Sequence, residues 1–147
     1  MKTGDYKVAG LAGAVVAVLA AVAVSLGFIW DTNKVDLDYT YLIADEPAER
    51  VTGLGGRLSL PSTHVMLFVF DEPDRHGIWM KDMQFAIDIA WLDANAKVVH
   101  LKSNVSPATF PDVFQPPTDA LYVIEANAGQ LSARGLTIGS VVDPLPL

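Results

Sequence analysis

Ile78-Trp79-Met80-Lys81-Asp82-Met83-Gln84-Phe85-Ala86-Ile87-Asp88 is the stretch on which the reading of this chain turns. It is apolar and strand-like, yet it holds a Lys-Asp pair and a second aspartate. Charges set among apolar residues are costly unless they are paired or used. Continued through Ile89-Ala90-Trp91-Leu92, the run reads as a strand with Ile87, Ile89 and Trp91 on one face. On an unbroken strand through Lys81–Leu92, Asp82 and Asp88 share a face with Gln84, Ala86, Ala90 and Leu92. Lys81, Met83 and Phe85 fall on the other face. A bulge or turn near Asp82-Met83 changes that arrangement.

Strand signals surround this stretch. Val35, Leu37, Tyr39, Tyr41 and Ile43 alternate with polar residues, as in a half-buried strand. Asp45 is a possible cap for a short helix Pro47–Thr52, which Gly53, Gly55 and Gly56 must end. His64–Phe70 is a continuous apolar strand with both faces buried, and Asp71–Gly77 reads as a charged loop. Asp93–Ala96 predicts a hairpin turn into a strand Lys97–Lys102. Ser103–Thr118 holds four of the nine prolines and reads as a long irregular loop, of the kind often used for binding. Asp119–Glu125 and Ser140–Val142 predict further strands, with a short helix Ala128–Arg134 between them. Many short strands and two small helices predict a mainly β fold, a compact β-sandwich or partly open β-barrel.

Ahead of that domain lies Val8–Trp30, 23 residues without a charge. As a helix it spans about 35 Å, enough to cross a hydrocarbon core of about 30 Å. Lys2 and Lys7 precede it, and Asp31, Asp36 and Asp38 follow. The charge bias puts the N-terminus, residues 1–7, in the cytoplasm, makes residues 8–30 a signal-anchor, and leaves residues 31–34 as a linker. Residues 35–147 are then an extracytoplasmic domain on the outer face of the cytoplasmic membrane. The alternative is secretion after signal-peptide cleavage near Ala23 or Ser25, where small residues alternate with valine.

With no cysteine, disulfides and a lipid-modified cysteine are excluded. Residues 31–147 carry eight Lys and Arg against sixteen Asp and Glu, a net of −8. That balance argues against nucleic acid as a partner. His64, His76 and His100 are scattered, so no metal site is expected. The chain has no Gly-Xaa-Ser-Xaa-Gly elbow, phosphate loop or dinucleotide fingerprint, and no cofactor is expected.

Several motifs then stand in a familiar order. They are Glu49-Arg50 with Gly53-Leu54 and Arg57, Met66-Leu67-Phe68-Val69-Phe70, Trp79-Met80-Lys81-Asp82-Met83 and Ile87-Asp88-Ile89. Val98-Val99, Tyr122-Val123-Ile124-Glu125-Ala126-Asn127-Ala128-Gly129 and Gly135 with Gly139 continue the series. Over Val35–Val142 the chain resembles the family called domain of unknown function 192. The resemblance implies a compact, mostly β domain, often carried behind a signal peptide or membrane anchor, and implies no activity. Many relatives have Asn-Thr where this chain has Asp82-Met83, and Gly-Asp where it has Gly139-Ser140.

The candidate ligand-binding residues are Trp79, Met80, Lys81, Asp82, Asp88, Glu125, Asn127 and Arg57. Trp79 offers a stacking surface, and the charges in its apolar setting ask for a partner. The competing reading is a structural salt bridge of Lys81 with a carboxylate. A binding or accessory module for a small ligand or cell-envelope partner is the expected function. The alternative is a cell-envelope hydrolase working through paired carboxylates among Asp82, Asp88 and Glu125. Phe110 and Phe114 are candidate partner-binding residues, or plugs that fold back onto the domain.

Overall fold

A computed structural model describes residues 33–146. The expected membrane-spanning segment Val8–Trp30 and the N-terminal residues before it lie outside the described residues. Among the described residues no helix is long and apolar enough to cross a membrane.

Among the described residues the architecture is mainly β with two short helices. Its centre is a five-stranded sheet built from β2 (Thr40–Ala44), β3 (His64–Asp74), β5 (Ile87–Leu92), β6 (Val98–Val105) and β8 (Ala120–Asn127), in the order β2-β3-β8-β5-β6. Within this sheet β2 runs parallel to β3, and the other pairings are antiparallel. Two small sheets flank it: β1 (Lys34–Val35) with β9 (Val141–Val142), and β4 (Ile78–Trp79) with β7 (Val113–Phe114). β2 and β6 are the unclosed ends of the large sheet, so no barrel closes and the arrangement is sandwich-like.

Both faces of the central sheet are covered, which is why its middle strands are apolar without alternation. Met66, Phe68, Ile87, Ile89, Trp91 and Val123 pack under Leu54, Leu60, Ile78, Met80 and Met83. On the opposite face Val65, Leu67, Ala90, Leu92, Tyr122, Ile124 and Ala126 pack under Leu37, Leu131, Leu136 and Val142. The predicted parity of Ile87, Ile89 and Trp91 against Asp88, Ala90 and Leu92 holds in this division.

Helix α1 (Pro47–Thr52) has the predicted bounds. Its N-cap is Glu46 rather than Asp45, because Glu49 Oε2 reaches back to accept from the Glu46 N–H at 3.3 Å. Gly53 stops it with φ +50°, where any side chain is strained. Elsewhere local backbone overrides the sequence pattern. The expected strand from Val35 to Ile43 breaks at Asp36–Tyr39, where Asp38 has φ +48°. The Asp71–Gly77 loop instead continues β3 as far as Asp74. The 103–118 loop contains a single 3-10 turn, Pro107–Thr109, and the strand β7. Helix α2 (Gln130–Ala133) is shorter than its predicted span.

Candidate functional site

The stretch 78–88 divides into three pieces that do different work. Ile78-Trp79 pairs with Val113-Phe114 at the edge of the molecule. Met80–Met83 is a turn, closed by the Met83 N–H donating to the Met80 carbonyl at 3.3 Å. Asp82 sits at its left-handed position, φ +58°. Asparagine and aspartate are among the non-glycine residues that tolerate that conformation best. The turn breaks the strand, so Asp82 is exposed and leaves the face it would share with Asp88.

Asp88 lies fully buried on β5, facing α2. Its Oδ1 accepts from the Asn104 N–H at 2.9 Å, and its Oδ2 accepts from the Leu131 N–H at 3.2 Å. It therefore satisfies the first turn of α2 and the left-handed Asn104 corner (φ +54°).

Glu125 is paired in register with Met66 on β3 and Ile89 on β5, so it shares the face of Phe68 and Val123. The sheet thus separates Glu125 from Asp88, and the two do not meet. Glu125 is 4% exposed, and its Oε2 is buried with no hydrogen-bond partner among the described residues. Burial alone pushes its carboxyl up to about 8 from the usual 4.5, so it carries a proton at neutral pH.

That carboxyl forms part of the wall of a cavity of about 40 Å³, together with Phe68, Leu54, Ile78 and Met83 and with Gly53–Gly55. Its remaining lining includes Arg50, Thr52, Trp79 and Lys81. The glycine turn can pass here because it has no side chains. A Cβ on Gly55 would stand 2.9 Å from the Thr52 carbonyl and 3.1 Å from that of Lys81. The turn is tied down where the Gly56 N–H donates to the Asp82 carbonyl at 2.8 Å.

The two cationic side chains are held differently. Arg50 is fixed by donating to the carbonyls of Asp45 and of Val69 (2.8 Å), with the Asp71 carboxylate at 3.4 Å and Phe70 under its guanidinium. Lys81 Nζ lies 5.9 Å from the centre of the half-exposed Trp79 ring. Among the described residues no carboxylate lies within 4.0 Å of it, so the structural salt bridge weighed from sequence does not form.

Two larger cavities share this lining. One of about 580 Å³ runs between α1 and β2 and includes Thr52, Gly53, Glu49 and Arg57. Another of about 290 Å³ is lined by Val51, Thr52, Gly55, Gly56, Lys81 and Asp82. Trp79, Lys81 and Glu125 therefore come together at the small cavity, while Asp82 and Arg57 line its neighbours. Met80 is buried in the core beside them. Asn127 instead ties loops, its side-chain amide donating to the Leu60 carbonyl at 2.9 Å. Phe114 folds back against the core under Lys102, whereas Phe110 is 47% exposed. Sequence reasoning missed Thr52, Gly53, Gly55 and Arg50 as lining residues. Three glycines within four positions were the available signal, read there only as a helix stop.

Two solved structures resemble this chain. A provisionally assigned transcription regulator from Sinorhizobium meliloti 1021 matches with a TM-score of 0.65 and 27% identity, over 69% of this chain and 78% of that one. A protein of unknown function from Novosphingobium aromaticivorans DSM 12444 matches with a TM-score of 0.65 and 25% identity, over 69% and 71%. No curated protein matches the chain. The DUF192 family model, described as uncharacterized ACR, matches residues 29–144, and the chain belongs to that family.

Proposed function

We propose that this domain is a binding module that takes the tip of a small polar ligand into the Glu125 cavity. The observation that carries the reading is the unpartnered, buried Oε2 of Glu125 in the wall of a cavity. A polar group buried without a partner destabilises a fold by about 1–3 kcal/mol, and a group that enters the cavity and bonds to Oε2 relieves that penalty. The cavity's size supports a small inserted group, since one water needs about 10–15 Å³ on the same measure. The rest of the ligand would lie along the adjoining cavities around the glycine turn.

The hydrolase alternative has less support. Among the described residues Glu125 is the one carboxyl in the small cavity, Asp88 is engaged by two backbone N–H groups on the far face, and Asp82 is exposed in a turn.

The test is a screen of small polar fragments against the full-length protein, read by NMR at the Gly53 and Gly55 amides and the Trp79 indole. Hits should move these three signals together and vanish in Glu125→Leu. Hits that ignore them, or that persist in Glu125→Leu, overturn the reading. In the same proposal the module is membrane-tethered and faces outward, supported by the uncharged run Val8–Trp30 and the lysines before it. A phosphatase reporter fused after Leu147 should then be active and resist extraction with alkaline carbonate. An inactive fusion, or release into the medium, overturns the tether.

A further inference from the structure

If the Glu125 cavity is a ligand site, as proposed above, its lining also restricts the chemistry of what enters. At neutral pH the Glu125 carboxyl has a proton to donate as well as an oxygen to accept. Among the described residues no second carboxyl lines the cavity, and its charged lining consists of Arg50 and Lys81. The surrounding domain is acidic, yet two of its eight Lys and Arg residues stand here and Arg57 lines the adjoining cavity. An incoming ammonium group would meet two cations and an un-ionised acid. A neutral hydroxyl would satisfy Oε2 but leave Lys81 Nζ without a counter-charge.

We propose that the cavity takes the carboxylate end of a small organic acid, hydrogen-bonded to the Glu125 carboxyl and neutralised by Lys81. The cavity of about 40 Å³ suits a group of a few heavy atoms. The body of the acid then leaves past Trp79 toward the cavity lined by Val51, Gly55, Gly56 and Asp82. The exposed Asp82 carboxylate disfavours a second negative charge at that end, so a monoanion is preferred over a dianion.

The bound pair shares one proton between two carboxyl groups. Ionising Glu125 places two like charges in contact and expels the acid. From the elements packed around Glu125, β3 presents Met66 and Phe68 and β5 presents Ile89. The charged residues on this cavity are Arg50 from α1 and Lys81 from the turn.

The experiment titrates the full-length protein with glycolate, glucuronate and N-acetylglycine, the last standing for a peptide C-terminus. Methyl glucoside and ethylammonium are the neutral and cationic controls. Each probe is taken to about 10 mM, ten times the dissociation constant of a weak millimolar complex. At about pH 6.5 at least one carboxylate should bind and shift the Gly53, Gly55 and Trp79 signals. Which of the three binds best distinguishes a free acid, an acidic sugar and a peptide end. Raising the pH to about 9 should weaken binding about tenfold, as Glu125 loses its proton. Glu125→Gln keeps a donor and an acceptor, so it should still bind and lose that pH dependence. Lys81→Met should weaken binding at least about tenfold at unchanged stability. Binding of methyl glucoside or ethylammonium at these signals, with all carboxylates silent, overturns the carboxylate class and leaves the cavity standing as a site. Silence of all five probes overturns both. Carboxylate binding unaffected by both Lys81→Met and pH overturns the proposed pairing.

Discussion

Asp88 and Glu125 are buried in the same sheet on neighbouring strands, one register step apart, and they face opposite ways. Asp88 meets two backbone N–H groups, one of which opens a helix. Glu125 meets apolar walls and a cavity, and it answers burial by holding its proton. The same chemical group is thus put to two ends by what the opposite faces offer. Where the backbone supplies donors, a buried carboxylate is structural cement. Where nothing supplies them, the group weakens the fold and is left open to an outside partner.

The two carboxyls should differ most in their response to pH. Unfolded, Glu125 ionises near the usual 4.5, while folded it keeps its proton to about 8. Between those values the unfolded state holds fewer protons, so stability falls as pH rises and levels off above about 8. The contribution to stability is on the order of 5 kcal/mol, full below pH 4.5 and lost by about pH 8, and Glu125→Gln should abolish that pH dependence. Denaturant melts of both proteins across this range measure it. Parallel curves for wild type and Glu125→Gln would remove the contrast between the two carboxyls.

Next in size is Asp88→Ala, which strands the Asn104 and Leu131 N–H groups and should destabilise by about 3 kcal/mol. Asp88→Asn keeps one acceptor and should lose less. Hydrogen exchange at Leu131 should quicken in the alanine variant, tying the loss to α2. Gly53→Ala forces a Cβ at φ +50° to within 3.2 Å of the Phe68 ring. It should destabilise by about 1–2 kcal/mol and perturb the Glu125 side of the sheet alone. The smallest effect is expected for Asp82→Asn, a gain of about 0.5 kcal/mol or less at the left-handed turn position, by thermal melt. A loss there would mean that the Asp82 carboxylate has a partner of its own.

Much of the fold was legible because its local signals agree. Pro47 and Gly53 bracket α1, and the two-residue period of a strand separates Ile87, Ile89 and Trp91 from Asp88, Ala90 and Leu92. What alternation cannot reveal is a change of backbone hand. Asp38 and Asp82 adopt left-handed conformations that aspartate permits without advertising, and each ends a strand that the pattern would continue. The candidate site was therefore legible as a set of residues, Trp79, Lys81 and Glu125, but not as a place. Its walls come from α1 and the glycine turn, some seventy residues from Glu125 in the chain and joined to it by the pairing of β3 with β8.

β2 forms the open margin of the large sheet with a short, uncharged Thr40-Tyr41-Leu42-Ile43-Ala44 run, and Ile43 is 39% exposed. A margin of that composition is a template on which a second chain can add a strand and begin to aggregate. Asp36 and Asp38 stand just before it and Asp45 and Glu46 just after, so two copies approaching edge to edge bring like charges together at both ends. Part of the domain's acidity thereby acts as a gatekeeper of solubility, and neutralising those four positions should shorten the protein's shelf life before it alters its fold.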